Sequence, residues 1–214
     1  MSRWAPVVCG VLLASVVSQA VQPRLDRRAI EEAIFLAESH LDAERLAFHR
    51  PYRLPAPGSP VDWIDVITPF HRVELAAEVA HQAGTRFGQY EALQLLSATP
   101  EQLDFLIELT FHPFNTFVGV PAYVVVLVWP DGRRLEPSRL DRVPRFGQRL
   151  GSAVPVYPAA GGAAGLGTGQ AVTGGTIVAS FDLARLDPAG VYDVLVEGDG
   201  RGLARARVDL AAMR

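Results

Sequence analysis

Lysine is missing from this 214-residue chain, and all 20 basic residues are arginine. A Walker-type phosphate loop needs Gly-Lys-Ser/Thr, and Schiff-base or pyridoxal phosphate chemistry needs a lysine amine, so both are excluded. The coding bias of a GC-rich bacterial genome accounts for the absence better than any functional cause. Cysteine is nearly as scarce. Cys9 is the single thiol and lies inside the apolar N-terminal run, so the chain beyond that run has neither a disulfide nor a thiol nucleophile. Its stability must come from a packed core, and about 190 residues are enough to supply one. Asn115, the only asparagine, stands in Asn115-Thr116-Phe117, which is not a glycosylation acceptor. Neither His-Glu-x-x-His nor a Gly-x-Ser-x-Gly elbow occurs. Long apolar runs are also few: Val120 to Trp129 covers about half of the ~20 residues that span a bilayer.

The N-terminus carries an address. Arg3 precedes an apolar run from Trp4 to Val17, and Ser18-Gln19-Ala20 follows it. A positive start, a short apolar stretch and small residues before a break form a secretory signal peptide with cleavage after Ala20. The run is shorter than the ~20 apolar residues of a spanning helix, which favours cleavage over the rival reading of a retained anchor. Val8 before Cys9 departs from the small residue that a lipoprotein signal places there. The chain is therefore expected to be exported, to the periplasm or the exterior, with no membrane span after cleavage.

Hydrophobic residues make up 49% of the chain, as in globular rather than disordered proteins. The net charge of −3 is unevenly spread. From Arg24 to Thr110, 14 acidic residues meet 8 arginines, a net −6; from Phe111 to Arg214, 9 meet 11, a net +2. Complementary halves are expected to dock on each other. An anionic envelope polymer is the alternative partner for the arginine-rich stretch Arg133, Arg134, Arg139, Arg142, Arg145 and Arg149. An exported, mildly acidic chain is not expected to bind nucleic acid.

Hydrophobic periodicity divides the rest into an α+β chain. Ile30, Ile34, Ala37 and Leu41 predict one amphipathic helix from Arg24 to Phe48, capped by Asp26. A proline-rich connector, Tyr52 to Pro60, leads to a short strand at Asp62 to Ile67. Thr68-Pro69 opens a second helix as N-cap and first residue, Gly84 ends it, and Phe87 to Leu96 forms a further short helix. Thr99-Pro100-Glu101 is another start signal. From Leu103 the period becomes two, and Ala122 to Trp129 is apolar on both faces. An apolar second face needs a second cover, which the N-terminal helices are expected to provide. Pro130-Asp131-Gly132 turns that strand back. An irregular arginine-rich segment and a Gly/Ala-rich loop, Tyr157 to Gly175, precede strands at Thr176 to Leu183, Val191 to Glu197 and Leu203 to Leu210. The expected division is 1–20 signal peptide, 21–100 helical segment with connector, and 101–214 an antiparallel immunoglobulin-like β-sandwich.

One constellation carries chemistry. His71, Glu74, Glu78 and His81 fall within an arc about 80° wide on the second helix, opposite its alanine face. Two imidazoles and two carboxylates on one side make a candidate divalent-metal site, and Glu78-x-x-His81 has the spacing of carboxylate-bridged metal bundles. No second Glu-x-x-His accompanies it, so the pattern reads first as an ordinary solvated polar face and only second as a metal site. Asp104, Glu108 and His112 read as the wet side of a strand, and Gly165-x-Gly167-x-Gly169 lacks the βα context of a phosphate cradle. Trp63 and Trp129 read as core residues rather than sugar platforms. No cofactor is demanded. The sequence thus points to an exported, non-catalytic binding or envelope-assembly module whose partner is another envelope or secreted protein or an anionic polymer. The alternative is a metal-binding protein or metal-dependent hydrolase.

Overall fold

The computed structural model describes residues 20–147 and 171–214. Residues 1–19 of the expected signal peptide, with Cys9, lie outside them, as do Arg149 and residues 157–170 of the glycine-rich segment. Among the described residues no helix is long and apolar enough to cross a membrane.

Among the described residues the fold mixes four α-helices with two antiparallel sheets. The elements run α1 (Arg27–Ala37), α2 (Asp42–His49), β1 (Arg53–Pro55), β2 (Val61–Ile67), α3 (Pro69–Gln82), α4 (Gln89–Ala98), β3 (Gln102–Thr110), β4 (Val124–Val128), β5 (Arg134–Leu135), β6 (Arg139–Gly147), β7 (Ala171–Asp182), β8 (Val191–Gly198) and β9 (Arg201–Asp209). One sheet has the order β1-β2-β3-β7-β6 and the other β5-β4-β8-β9. Helices and strands therefore alternate through the first hundred residues, and the helices do not simply precede the sheets. β2 pairs along β3, with Ile64 opposite Ile107, so the early strands extend the same sheet as the later ones.

Alternation explains the core. Leu103, Phe105, Ile107 and Leu109 of β3 are fully buried while the residues between them stay partly open. They join Ile64 and Val66 of β2, Ile177, Ala179 and Phe181 of β7, Val125 and Leu127 of β4, Val194 and Val196 of β8 and Ala206 and Val208 of β9 in one apolar cluster. Burying each large side chain contributes about 1.5–3 kcal/mol, which lets a fold without disulfides hold together. A second cluster joins Ala29, Ile30 and Ala33 of α1 to Phe70 and Val73 of α3 and Ala92 of α4. Phe48 packs against both clusters and so connects the helical layer to the sheets.

Several expectations change. The single helix from Arg24 to Phe48 breaks into α1 and α2, because Ser39 Oγ accepts the Leu41 N–H and turns the chain out of the helix. Asp26 does cap α1, accepting the Ala29 N–H at 2.7 Å. Thr68 and Pro69 start α3 as read, and Gly84 follows its end at φ 65°. Thr99-Pro100-Glu101 starts no helix; Glu101, at φ 49°, turns the chain into β3. The arginine-rich segment is not irregular but contains β6, an edge strand paired with β7. Its residues alternate too little to betray it, and Pro144 is tolerated where an edge leaves an N–H unpaired. β7 begins at Ala171, so residues 171–175 are strand rather than loop.

The helices also cover a different strand from the one expected. Arg72 of α3 reaches Asp104 of β3 at 2.7 Å, and Leu106 of β3 faces a cavity beneath α2 and α3, so the helical layer lies on β2 and β3. Of the second face of β4, Val126 is buried beside Arg134, Glu136, Pro137 and Arg185, while Val124 stays half open.

Candidate metal centre

α3 is shaped to bury polar groups. Thr68 accepts the His71 N–H and fixes the first turn, which places His71 and Glu74 one turn apart on the side facing α2. His71 is 4% exposed and Glu74 is 0% exposed. The solvated helix face allowed by the sequence is therefore wrong for these two residues: α1 packs along the alanine side of α3, and α2 closes over the other.

The tautomer of His71 follows from its partners. Its Nδ1 lies 2.9 Å from the Val66 carbonyl oxygen, which can only accept, so Nδ1 carries the hydrogen and Nε2 presents a lone pair. Burial lowers the His71 pKa to about 4, keeping the ring neutral and able to ligate. Tyr52 stacks on it, with ring centroids 4.2 Å apart.

Nε2 of His71 meets Nδ1 of His49, at the end of α2, at 3.1 Å. The other nitrogen of His49 lies 3.3 Å from Glu74 Oε1 and 3.9 Å from Glu78 Oε2. The Glu74 carboxylate raises the His49 pKa, against the opposing pull of burial, and Glu78 adds to it. Yet neither oxygen of Glu74 accepts a hydrogen bond among the described residues; the approach of His49 is electrostatic and poorly aligned. A buried carboxylate in that condition costs several kcal/mol unless a cation compensates it, either protonated His49 or a bound ion.

One donor atom each from His49, His71 and Glu74 lies within 4.8 Å of the other two. Two nitrogens on one tetrahedral ion stand about 3.3 Å apart, given metal–nitrogen bonds of ~2.0–2.1 Å, and the 3.1 Å pair of His49 and His71 approaches that spacing. Nitrogen and carboxylate donors without thiolate suit zinc, iron(II) or a similar divalent ion. The Val66 carbonyl is the outer partner that fixes a ligating histidine.

Of the four residues marked on α3, His71 and Glu74 come together, and Glu78 stands beside them, held by Arg45 at 3.4 Å. His81 does not join. It is exposed beyond the next turn, its ring 6.4 Å from that of His40. His49 stands where His81 was expected, beside His71 and Glu74. No linear spacing ties it to α3; its only signal is a polar ring at a helix end just before Pro51.

The arginine stretch is largely engaged within the chain. Arg133 pairs with Asp131, Arg134 with Glu197, Arg139 with Asp141 and Arg145 with Glu108, while Arg142 donates to the Tyr123 carbonyl. No protein-family model, curated protein or solved structure matches the chain.

Proposed function

We propose that this chain is an exported metal-binding protein that holds one divalent transition-metal ion on His49, His71 and Glu74. The observation that carries the reading is Glu74: a fully buried carboxylate without a hydrogen bond, beside two imidazole nitrogens already at ligand spacing. Three protein ligands leave a coordination position open, the pattern of reactive rather than closed structural sites. His49 and His71 line a cavity on that side and Glu78 borders it, which supports metal-dependent hydrolysis as the activity to look for. Export rests on the N-terminal pattern from Arg3 to Ala20. An immunoglobulin-like sandwich for β3 to β9 belongs to the same reading, supported by seven strands in two antiparallel sheets with a common core.

The decisive experiment is elemental analysis of untagged protein dialysed against zinc, beside His49→Ala, His71→Ala and His81→Ala. About one equivalent in the parent and in His81→Ala, with none in the other two, is expected. Equal or sub-stoichiometric zinc in all four overturns the reading.

A second reading, a non-catalytic module for another envelope protein, is favoured by β6. That edge strand leaves Val143 and Phe146 more than half exposed, as strand addition by a partner requires. Val143→Lys with Phe146→Lys, which place charge on those exposed edge side chains, should abolish such pairing in a binding assay.

A further inference from the structure

Building on the metal site proposed above, we propose that the cavity beside His49 and His71 binds an amphipathic organic anion, an aliphatic carboxylate whose chain lies along its leucine wall. The cavity measures about 500 Å³, within the range of small-molecule sites. Leu46, Ile67, Leu75 and Leu106 give it apolar walls drawn from α2, β2, α3 and β3. Leu46 is 71% exposed at the rim, an apolar surface that an alkyl chain would cover.

The charges around the cavity select the sign of the ligand. Asp65 and Arg53 neutralise each other through two hydrogen bonds, of 2.8 and 3.1 Å. Glu78 is met by Arg45 and Gln82. Arg50, exposed on the lining, has no acidic partner among the described residues. A divalent ion held by two neutral imidazoles and one carboxylate adds a further positive charge. The loaded cavity thus carries an excess of positive charge at its polar end. A carboxylate meets that excess by facing the open metal position while it pairs with Arg50, and an ammonium is repelled.

The test is calorimetric titration of zinc-loaded protein, its metal content checked first, with butyrate, hexanoate, octanoate and octylamine. Affinity should rise roughly fourfold per methylene while the chain still contacts the leucines, and octylamine should bind at least tenfold more weakly than octanoate. Arg50→Gln should weaken octanoate at least fivefold with zinc content unchanged, and Leu75→Asn should flatten the chain-length dependence. Octylamine binding as tightly as octanoate, affinity independent of chain length, or octanoate indifferent to Arg50→Gln each overturns the ligand assignment while leaving the metal site standing. Protein that takes up no zinc overturns the metal site and the ligand assignment with it.

Discussion

The Tyr52 hydroxyl accepts the backbone N–H of Arg214 at 2.9 Å and donates to the carbonyl oxygen of the same residue at 3.2 Å. Thr68, the cap of α3, donates to that carbonyl as well, and the Arg214 guanidinium reaches Glu32 of α1 at 2.6 Å. The segment after β9 is thereby tied to the helical layer at the point where Tyr52 stacks on His71. Tyr52→Phe keeps the ring but leaves the Arg214 N–H without its partner. A loss of about 1–3 kcal/mol is expected, with zinc uptake unchanged. Thermal melting should show it as a fall of roughly 2–12 °C for a chain of this length, and elemental analysis checks the metal.

Glu74→Gln separates a metal ligand from a purely structural carboxylate. In metal-free protein at a pH where His49 is neutral, the substitution removes a buried charge that has no hydrogen bond, so the melting temperature should hold or rise. Zinc at a hundred times its dissociation constant should stabilise the parent by about 2.7 kcal/mol and the variant hardly at all. If Glu74→Gln destabilises the metal-free protein and zinc still raises its melting temperature, Glu74 is a structural residue and not a ligand.

How far the sequence could reveal this arrangement depends on what each residue faces. β3 was legible because one face sees the core and the other a wetter surface, so Leu103, Phe105, Ile107 and Leu109 alternate with Asp104 and Glu108. β6 was not, since an edge strand with little burial puts almost no constraint on its alternation. The break between α1 and α2 rests on one hydroxyl, Ser39, which hydrophobic periodicity does not register. Within the site, His71, Glu74 and Glu78 were legible because three- and four-residue spacing places them along one helix face. His49 enters from another helix, 22 residues upstream of His71, through a reversal that no periodic signal encodes.

The metal-free protein should lose stability on mild acidification. The folded pKa of His71 lies near 4, below its unfolded value of about 6.5, so the unfolded chain binds more protons between those limits. Its contribution is complete above pH 6.5 and is lost as pH falls toward 4, amounting to roughly 2 kcal/mol between pH 7 and pH 5. His49 acts in the opposite sense. Its raised pKa gives stability that is fully present below about 6.5 and lost as pH climbs through the folded value. Denaturant titrations at pH 5 and 7 in the presence of a chelator should therefore show a decline on acidification that is absent from His71→Gln. An identical decline in that variant would place the titration elsewhere.

Arg72 and Asp104 join α3 to β3 through a pair only 10% and 13% exposed. Arg72 also donates to Thr99 Oγ1 at 3.0 Å, and Gln102 donates to the second oxygen of Asp104 at 2.7 Å, so both charges sit in a nearly closed network. Removing one partner strands the other away from water, which costs about 3–5 kcal/mol for a buried pair. Arg72→Met and Asp104→Leu together remove both charges and should cost less than the sum of the single changes. A double-mutant cycle by chemical denaturation is expected to give a coupling above about 1 kcal/mol. The pair of Arg205 and Asp193 on the solvent side of the other sheet, where the arginine is 68% exposed, is the control and should show no resolvable coupling. Equal coupling in the two pairs would mean that α3 is held on β3 by apolar contact alone, so that the position of His71 and Glu74 does not depend on this ion pair.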